Sequence, residues 1–535
     1  MECCGMTQMA ASAESSASEL KTISLPSDAT APQRTAFDAL LRFCAGQDIG
    51  ITSQVLSGYA GTGKTWLAAH LIQATCAMGL DVAVCAPTHK AVAVLSAKLE
   101  EFGDAPARTA TVHALLGLKL REGSEGEMLL ELDRFDKGKY FEDYDVVFVD
   151  EASMVGPSLL RYIARFQSAG KPRVLYIGDP GQLAPVEDKP SRRDDDQMDL
   201  DINERGRELP VFDLTVPRHD LTEIVRQKAT GRPHPIVEFA QEIRRHIEGE
   251  ADGVFHPEAV REYVTARADI FGGAVRMAGV NAMSEGATAL QLRRPEKDIR
   301  VVAWRNRVVD QHNRLIHSGL VSRYNTKPTA GSASAAPFWA GESLVAREAL
   351  YGFPLNIEMH LAEDDVWEKA LSPEPVIMAD GGHTGKRGRR GPSVIVQNNT
   401  EMAVTDCEFM VHPYLRIPSW RIRTHAPDGE PIEFFMADDP RQHQRMTREA
   451  WTKYRSEKRR SADGFRRSWA VTRACAPVMH AYAMTAHKAQ GSTFHYALVD
   501  LADLYGMVRM SGADDYHRAL YVAVTRASER VWLCY

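Results

Sequence analysis

The stretch GYAGTGKT, Gly58 to Thr65, decides how the rest of the chain is read. An apolar run, QVLSG, leads into it, and a helical pattern, KTWLAAHLIQATCAM, leads out. Glycines at a strand-to-helix turn let backbone N–H groups wrap phosphate oxygens, and the positive end of the helix adds to the attraction. Alone, such a turn could be a Gly-rich bend without function. Between a strand and a helix it has the pattern of a phosphate-binding loop. Gly58, Ala60, Gly61, Thr62, Gly63, Lys64 and Thr65 are then the expected cradle for ATP. Lys64 would reach the β- and γ-phosphates, and the Thr65 hydroxyl would face Mg2+.

The surrounding segments repeat the design. DVAVCAP runs into THKAVAVLSAKLEEF, and VVFVDEAS and VLYIGDP continue the series to about residue 187. Strand–helix alternation of this kind predicts an α/β fold with a parallel, doubly wound sheet. Ligands of such sheets bind at the C-terminal ends of the strands, where VVFV delivers Asp150 and Glu151. Asp150 is the expected metal holder and Glu151 the expected general base on an attacking water. The pair could also cap the following helix. Gln182, in VLYIGDPGQLAPV, carries a donor and an acceptor on one amide and suits the placing of that water; its alternative is an ordinary turn residue.

Composition sets the remaining bounds. The chain has 535 residues, enough for two to four domains, and 44% hydrophobic with 25% charged residues is an ordinary globular balance. The eight cysteines form no CxxC pair, which argues against zinc or a disulfide framework. A net charge of −7 means that any nucleic-acid site is a local groove. Residues 1–24 read as a disordered Ser/Ala-rich tail without the order of a signal peptide, and the expected location is the cytoplasm of a bacterial or phage-infected cell. The first α/β domain is expected over 25–187, with a hairpin insertion at about 114–142. A charged loop, 188–209, leads to a second α/β region at 210–331 that resumes at 471–535. Between these parts, 332–470 breaks into short alternating segments and reads as an inserted β-rich module.

GYAGTGKT, APTHKAVAVL, TVHALLG, DEASM, GDPGQLAPV, LTEIVRQ, YAMTAHKAQGSTF and LYVAVTRA form an ordered series over residues 33–535. In that order they resemble the superfamily 1 helicases, in particular the RecD/Dda-type branch, superfamily 1B. The resemblance implies two RecA-like domains with ATP in the cleft between them, single-stranded DNA across their tops, and 5′-to-3′ translocation. It makes Arg226 and Arg526 γ-phosphate ligands of the second domain, with Arg526 an arginine finger. An ion pair with a carboxylate such as Glu529 is the structural alternative for Arg526. Gln33 matches the family's adenine-reading glutamine, and Gln490, Gly491 and Thr493 match a motif that links nucleotide to DNA.

For the strand itself, Pro87, Thr88, His89 and Lys90 stand where a strand opens into a helix, so N–H groups and side chains can take a backbone phosphate. Thr111, His113, Thr485, His487 and Lys488 match further strand-contacting motifs; each could equally be a cap or a core histidine. LKLREGSEGEMLLELDR reads as a hairpin, the place where the family carries a strand-splitting pin, with Met128 or Leu129 toward the fork. The inserted module resembles the SH3-like domain of Dda-type enzymes and holds basic runs at 383–391 and 453–467. Phe102, Phe338 and Trp339 are candidates for base stacking. The expected partners are single-stranded DNA and single-strand/duplex junctions, with single-strand-binding, replication or recombination proteins beside them. No membrane is expected, and the motor is expected to act as a monomer. Competing readings are an RNA or RNA–DNA helicase, a RecD-like subunit of a larger repair or recombination complex, and a binding module with a dead phosphate loop. Intact Lys64, Asp150, Glu151, Gln182, Arg226 and Arg526 argue against the last.

Overall fold

Adjacent residues of one strand show how the first sheet is buried. Val55 and Leu56 point to opposite faces, as the period of a strand requires, and each enters a separate apolar cluster. Leu40, Phe43, Leu67, Leu71 and Ile72 cover one face, and Leu115, Phe141, Leu160 and Ile163 the other. A sheet covered on both faces calls for continuous apolar strands. Truncating a ring such as Phe43 to alanine would cost about 3–5 kcal/mol.

The computed structural model describes residues 25–103, 106–122, 128–132, 140–167, 171–185, 211–223, 234–324, 336–351, 394–396, 400–425, 429, 431–456 and 462–535. The expected tail (1–24), the charged loop (188–209), Arg226 and the basic run 383–391 lie outside these residues. The chain divides into two compact units, Met1–Val280 with Ala489–Tyr535, and Asn281–Lys488.

In the first unit the strands are β1 (Ser53–Gly58), β2 (Val82–Ala86), β3 (Arg108–Thr111), β4 (Leu118–Glu122), β5 (Met128–Leu132), β6 (Val146–Val149), β7 (Arg173–Gly178), β8 (Arg218–Leu221) and β9 (Val275–Ala278). Six of them form one parallel sheet in the order β3-β2-β6-β7-β1-β8. The crossovers are helices, among them Lys64–Ala77 after β1 and His89–Phe102 after β2. The helix Ala31–Cys44 starts with a capping box, in which the Thr30 side chain takes the Gln33 N–H and the Gln33 side chain takes the Thr30 N–H. β4 and β5 pair antiparallel from Leu118↔Leu132 to Glu122↔Met128, so the expected hairpin is present in the backbone.

The second unit contains β10 (Ile299–Ala303), β11 (Ser343–Ala346), β12 (Leu350–Tyr351), β13 (Val394–Val396), β14 (Glu401–Val411), β15 (Pro418–His425), β16 (Pro431–Ala437), β17 (Val478–His480) and β18 (Ala483–Thr485). β10 runs parallel to β18. An antiparallel sheet takes the order β16-β15-β14-β11-β17 and closes over Phe338, Leu344, Val404, Trp420, Ile422 and Phe434. Two helices, Pro440–Ser456 and Ala462–Arg473, follow β16, so the segment expected to be β-rich is mixed at its C-terminal end. The first begins at Pro440, where a proline fits, and the Asp439 carboxylate takes the Arg441 N–H.

Ala489–Tyr535 returns to the first unit with β19 (Phe494–Asp500) and β20 (Ala527–Cys534). Both are parallel, and β20 pairs with β19 on one side and β9 on the other. Among the described residues no helix is long and apolar enough to cross a membrane.

Candidate active site: a phosphate loop beside paired carboxylates

β1 ends in the Gly58–Thr65 loop. A Cβ on Gly58 would lie 2.7 Å from Thr62 Oγ1 and 2.8 Å from Leu221 O, so no larger residue fits there. Gly61 and Gly63 have φ of 87° and 82°, a region that disfavours side chains. Gly63 is the N-cap of the helix Lys64–Ala77 and makes no side-chain cap, which leaves the first N–H groups of the helix for an anion. Lys64 Nζ donates to Gly58 O (2.5 Å) and Tyr59 O (3.0 Å) at the mouth of the loop. Thr62 is buried and its hydroxyl donates to Tyr59 O. The Gln33 amide reaches the same loop, with Nε2 donating to Thr62 O at 3.1 Å while Oε1 serves the capping box. In this arrangement Gln33 braces the loop from behind.

Asp150 and Glu151 follow β6 directly. Glu151 has φ 50° and ψ 41°, left-handed backbone for a residue that has a Cβ. Such a conformation costs on the order of 1–3 kcal/mol and gathers at functional sites. Burial pushes the Asp150 carboxyl above its usual range, opposed by the Glu151 N–H and by Lys98 and Lys64. Glu151 is also pushed up, first by burial and then by Asp150, while Arg526 and Lys64 pull it down. Arg526 is buried, with its guanidinium donating to Val522 O, Ser492 O and Thr525 Oγ1. Lys64, Asp150, Glu151 and Arg526 therefore share one electrostatic site. A Cβ on Gly491 would come within 4.0 Å of Glu151 Oε1, which places that glycine beside the same carboxylate.

A polar chain completes the site. Gln182 Oε1 accepts from Ser153 Oγ (3.2 Å) and from Gln490 Nε2 (3.3 Å), which also donates to Leu183 O. Asp179 accepts the Gly181 N–H on Oδ1 and the Tyr521 hydroxyl on Oδ2, both at 2.9 Å. The Tyr521 oxygen in turn accepts the Ala60 N–H of the phosphate loop at 2.8 Å. Arg518 donates to the carbonyls of Pro180 and Gln182. Asp179, Ser153, Arg518 and Tyr521 carried no role in the sequence reading. The signal was a carboxylate in GDPGQ and a tyrosine in LYVAVTRA, but nothing in sequence spacing places those two together.

The expected strand contacts fall at neighbouring strand ends. Ala86 is in register with Thr111, so the turns after β2 and β3 lie side by side. Thr88 caps its helix by taking the Ala91 N–H, and Thr111 caps Val112–Leu116 by taking the Ala114 N–H. Pro87 is half-buried. Burial pulls His89 and His113 below the usual imidazole range, and His89 adds to the effect on His113. The Lys90 and Phe102 side chains lie outside the described residues, as do those of Met128 and Leu129. Phe338 is a core residue of the antiparallel sheet, a position that bars it from stacking on a base. Thr493 is exposed. In the second unit Thr485 takes the Lys488 N–H at 3.3 Å, and Asn313 pins Ala483 through both its N–H and its carbonyl. Burial lowers the pKa of His487 and of Lys488.

The profile of the AAA domain matches residues 31–251, and that of the UvrD-like helicase C-terminal domain matches residues 480–534. Between them they take in the phosphate loop, the carboxylates, Gln182, Gln490 and Arg526, in the order the motifs require. The chain thus carries an AAA domain followed by a UvrD-like helicase C-terminal domain. Parallel-sheet α/β architecture is that of RecA-like domains. Similar to this chain is the ATP-dependent RecD2 DNA helicase of Deinococcus radiodurans, 32% identical over 198 residues, or 37% of this chain and 22% of that protein. An uncharacterized protein of Acanthamoeba polyphaga mimivirus is 27% identical over 141 residues, 24% of this chain and 28% of its own length. The matches thus span less than a third of these curated relatives. Solved structures similar to it include the Pif1 helicase of Candida albicans (16% identity, 95% of this chain and 94% of that one, TM-score 0.44). Bacteroides Pif1 bound to ssDNA is another (16% identity, 94% and 91%, TM-score 0.45).

Proposed function

We propose that the chain is an ATP-dependent DNA helicase that moves 5′ to 3′ along single-stranded DNA and separates the duplex ahead of it. One observation supports this reading above the rest. Lys64, Glu151, Gln182 and Arg526 come from segments far apart in sequence and gather around one phosphate loop in a single unit. A phosphoryl-transfer site needs a cradle, a base, a water-positioning amide and a cation for the developing charge, and each has a candidate here.

The N–H groups of Gly61, Gly63 and Lys64 hold the phosphates, and the Lys64 ammonium neutralises their charge. Thr65 and the half-buried Asp150 form a hard-oxygen donor pair that fits Mg2+, an ion that would withdraw charge from the γ-phosphate when bound. Glu151 accepts a proton from water as the water oxygen bonds to the γ-phosphorus and the bond to the bridging oxygen breaks. Its upward-shifted carboxyl is a stronger base than an exposed glutamate. Gln182 orients that water, and Arg526, joined by Arg226, steadies the charge on the transferring group. Gln33 reads adenine while bracing the loop. Thr88, His89, Lys90, Thr111 and His113 of one unit, and Thr485, His487 and Lys488 of the other, take DNA phosphates, and the β4–β5 hairpin divides the strands.

The test is phosphate release with and without single-stranded DNA. The wild type is expected to be stimulated by DNA. Lys64→Ala is expected to lose turnover by about 10³-fold or more while still binding DNA. Retained turnover in that variant overturns the assignment of the loop.

A further inference from the structure

Three side chains of the second unit meet where its antiparallel sheet joins the helix Asn306–Tyr324. Glu342, just ahead of β11, is opposite the segment after β17, since Leu344 pairs with His480 and the Ala481 N–H donates to Ser343 O. His480 and Tyr482 therefore share a face with Glu342. His317 arrives from the helix. Its Nδ1 lies 3.2 Å from Glu342 Oε1, and that of His480 lies 2.8 Å from the same oxygen. The Tyr482 hydroxyl also donates to Oε1, at 2.9 Å.

That oxygen is over-subscribed. A carboxylate oxygen offers about two lone-pair directions, yet three groups crowd this one within hydrogen-bond range. The two imidazoles are stacked, with centroids 4.0 Å apart, and both Nδ1 atoms lie against the same carboxylate oxygen. The spacing suits a different occupant. Ligands bound to one ion at about 2.0–2.1 Å stand roughly 3.3 Å apart in a tetrahedron and somewhat closer at right angles. Contacts of 2.8 and 3.2 Å lie in that range.

We infer that His317, Glu342 and His480 form a binding site for a zinc-class divalent ion. The three donor atoms lie within 4.8 Å of one another. Two imidazoles and one carboxylate select a borderline transition ion over Mg2+, which prefers oxygen ligands. The site is built for fixed ligands. The Glu342 side chain is fully buried, its Oε2 takes the Trp339 N–H, and its backbone bonds to Trp339 and Val404. His317 stacks on Trp339 at 4.8 Å. The two histidines keep 15% and 18% of their side-chain surface, a way in for an ion. Glu342 and His480 stand 138 residues apart at the two ends of the antiparallel-sheet segment, so an ion here clasps that segment at its neck and ties it to the helix.

The inference is independent of the nucleotide site, and its test reads metal binding alone. Chelator-treated full-length chain is titrated with Co2+, followed by visible absorption, and with Zn2+, followed by Tm, both in excess Mg2+. The expected result is a saturable Co2+ spectrum at one equivalent and a Tm raised by several degrees at about a hundredfold excess of Zn2+ over Kd. His480→Gln and His317→Gln should each abolish both signals, and Glu342→Gln should do so if it folds. No Co2+ spectrum in the wild type, or a spectrum that survives in either histidine variant, overturns the site and leaves a hydrogen-bonded cluster.

Discussion

Two kinds of strand-to-helix turn present backbone N–H groups in this chain, and they are finished differently. At Gly58–Thr65 the helix begins at a left-handed glycine with no side-chain cap. At Thr88 and at Thr111 a threonine hydroxyl already occupies an N–H of the following turn, and Thr485 takes the Lys488 N–H in the same way. An uncapped helix start leaves its donors to a ligand, whereas a capped one is stable by itself. The first design suits a tight, essential phosphate contact. The second suits many weak contacts that a moving strand can make and release. Changes at the bare loop should therefore strike turnover, and changes at the capped turns should strike stability and salt dependence.

After Lys64→Ala, Arg526→Ala should give the largest effect, a loss of turnover on the order of 10³-fold with ATP affinity kept within several-fold. Steady-state kinetics with a circular-dichroism control would check this. Loss of fold in place of loss of rate would assign Arg526 to structure, through its contacts with Val522, Ser492 and Thr525. Gly63→Ala comes next. A methyl group at φ 82° costs roughly 1–2 kcal/mol, and nucleotide affinity should fall much further than Tm does. Equal losses would mean that the loop is no more specialised than an ordinary turn. The smallest effects belong to the capped turns. Thr88→Ala or Thr485→Ala should cost about 1 kcal/mol of stability with ATP turnover nearly unchanged. Lys488→Ala should flatten the salt dependence of single-strand binding by about 0.7 in log–log slope if it holds one phosphate. An unchanged slope would remove Lys488 from the DNA contacts.

Much of this was legible in the chain, and for physical reasons. VVFV and VLYIG are apolar without a break because both faces of their sheet are covered, and that pattern survives any detail of packing. LKLRE and MLLEL pair as their alternation around a Gly/Ser/Glu turn suggests. The helices at 440–456 and 462–473 were harder to see, because the first is strongly polar along its length and buries no residue fully. Long-range meetings were not legible at all. Tyr521 and Asp179 are 342 residues apart, and no local spacing announces their bond. The left-handed backbone of Glu151 is invisible in DEAS, since glutamate has no preference for it. His317, Glu342 and His480 are isolated letters until the fold collects them. The bond of Gln33 to Thr62 O joins residues 29 apart in sequence and needed the helix Ala31–Cys44 to be placed against the loop.

The most direct measurement is unwinding of matched duplexes, one with a 5′ single-stranded tail and one with a 3′ tail, at low salt with Mg2+ and ATP. The account predicts unwinding of the 5′-tailed duplex alone, abolished by Lys64→Ala. Unwinding from the 3′ tail alone, or unwinding that survives loss of Lys64, would contradict it.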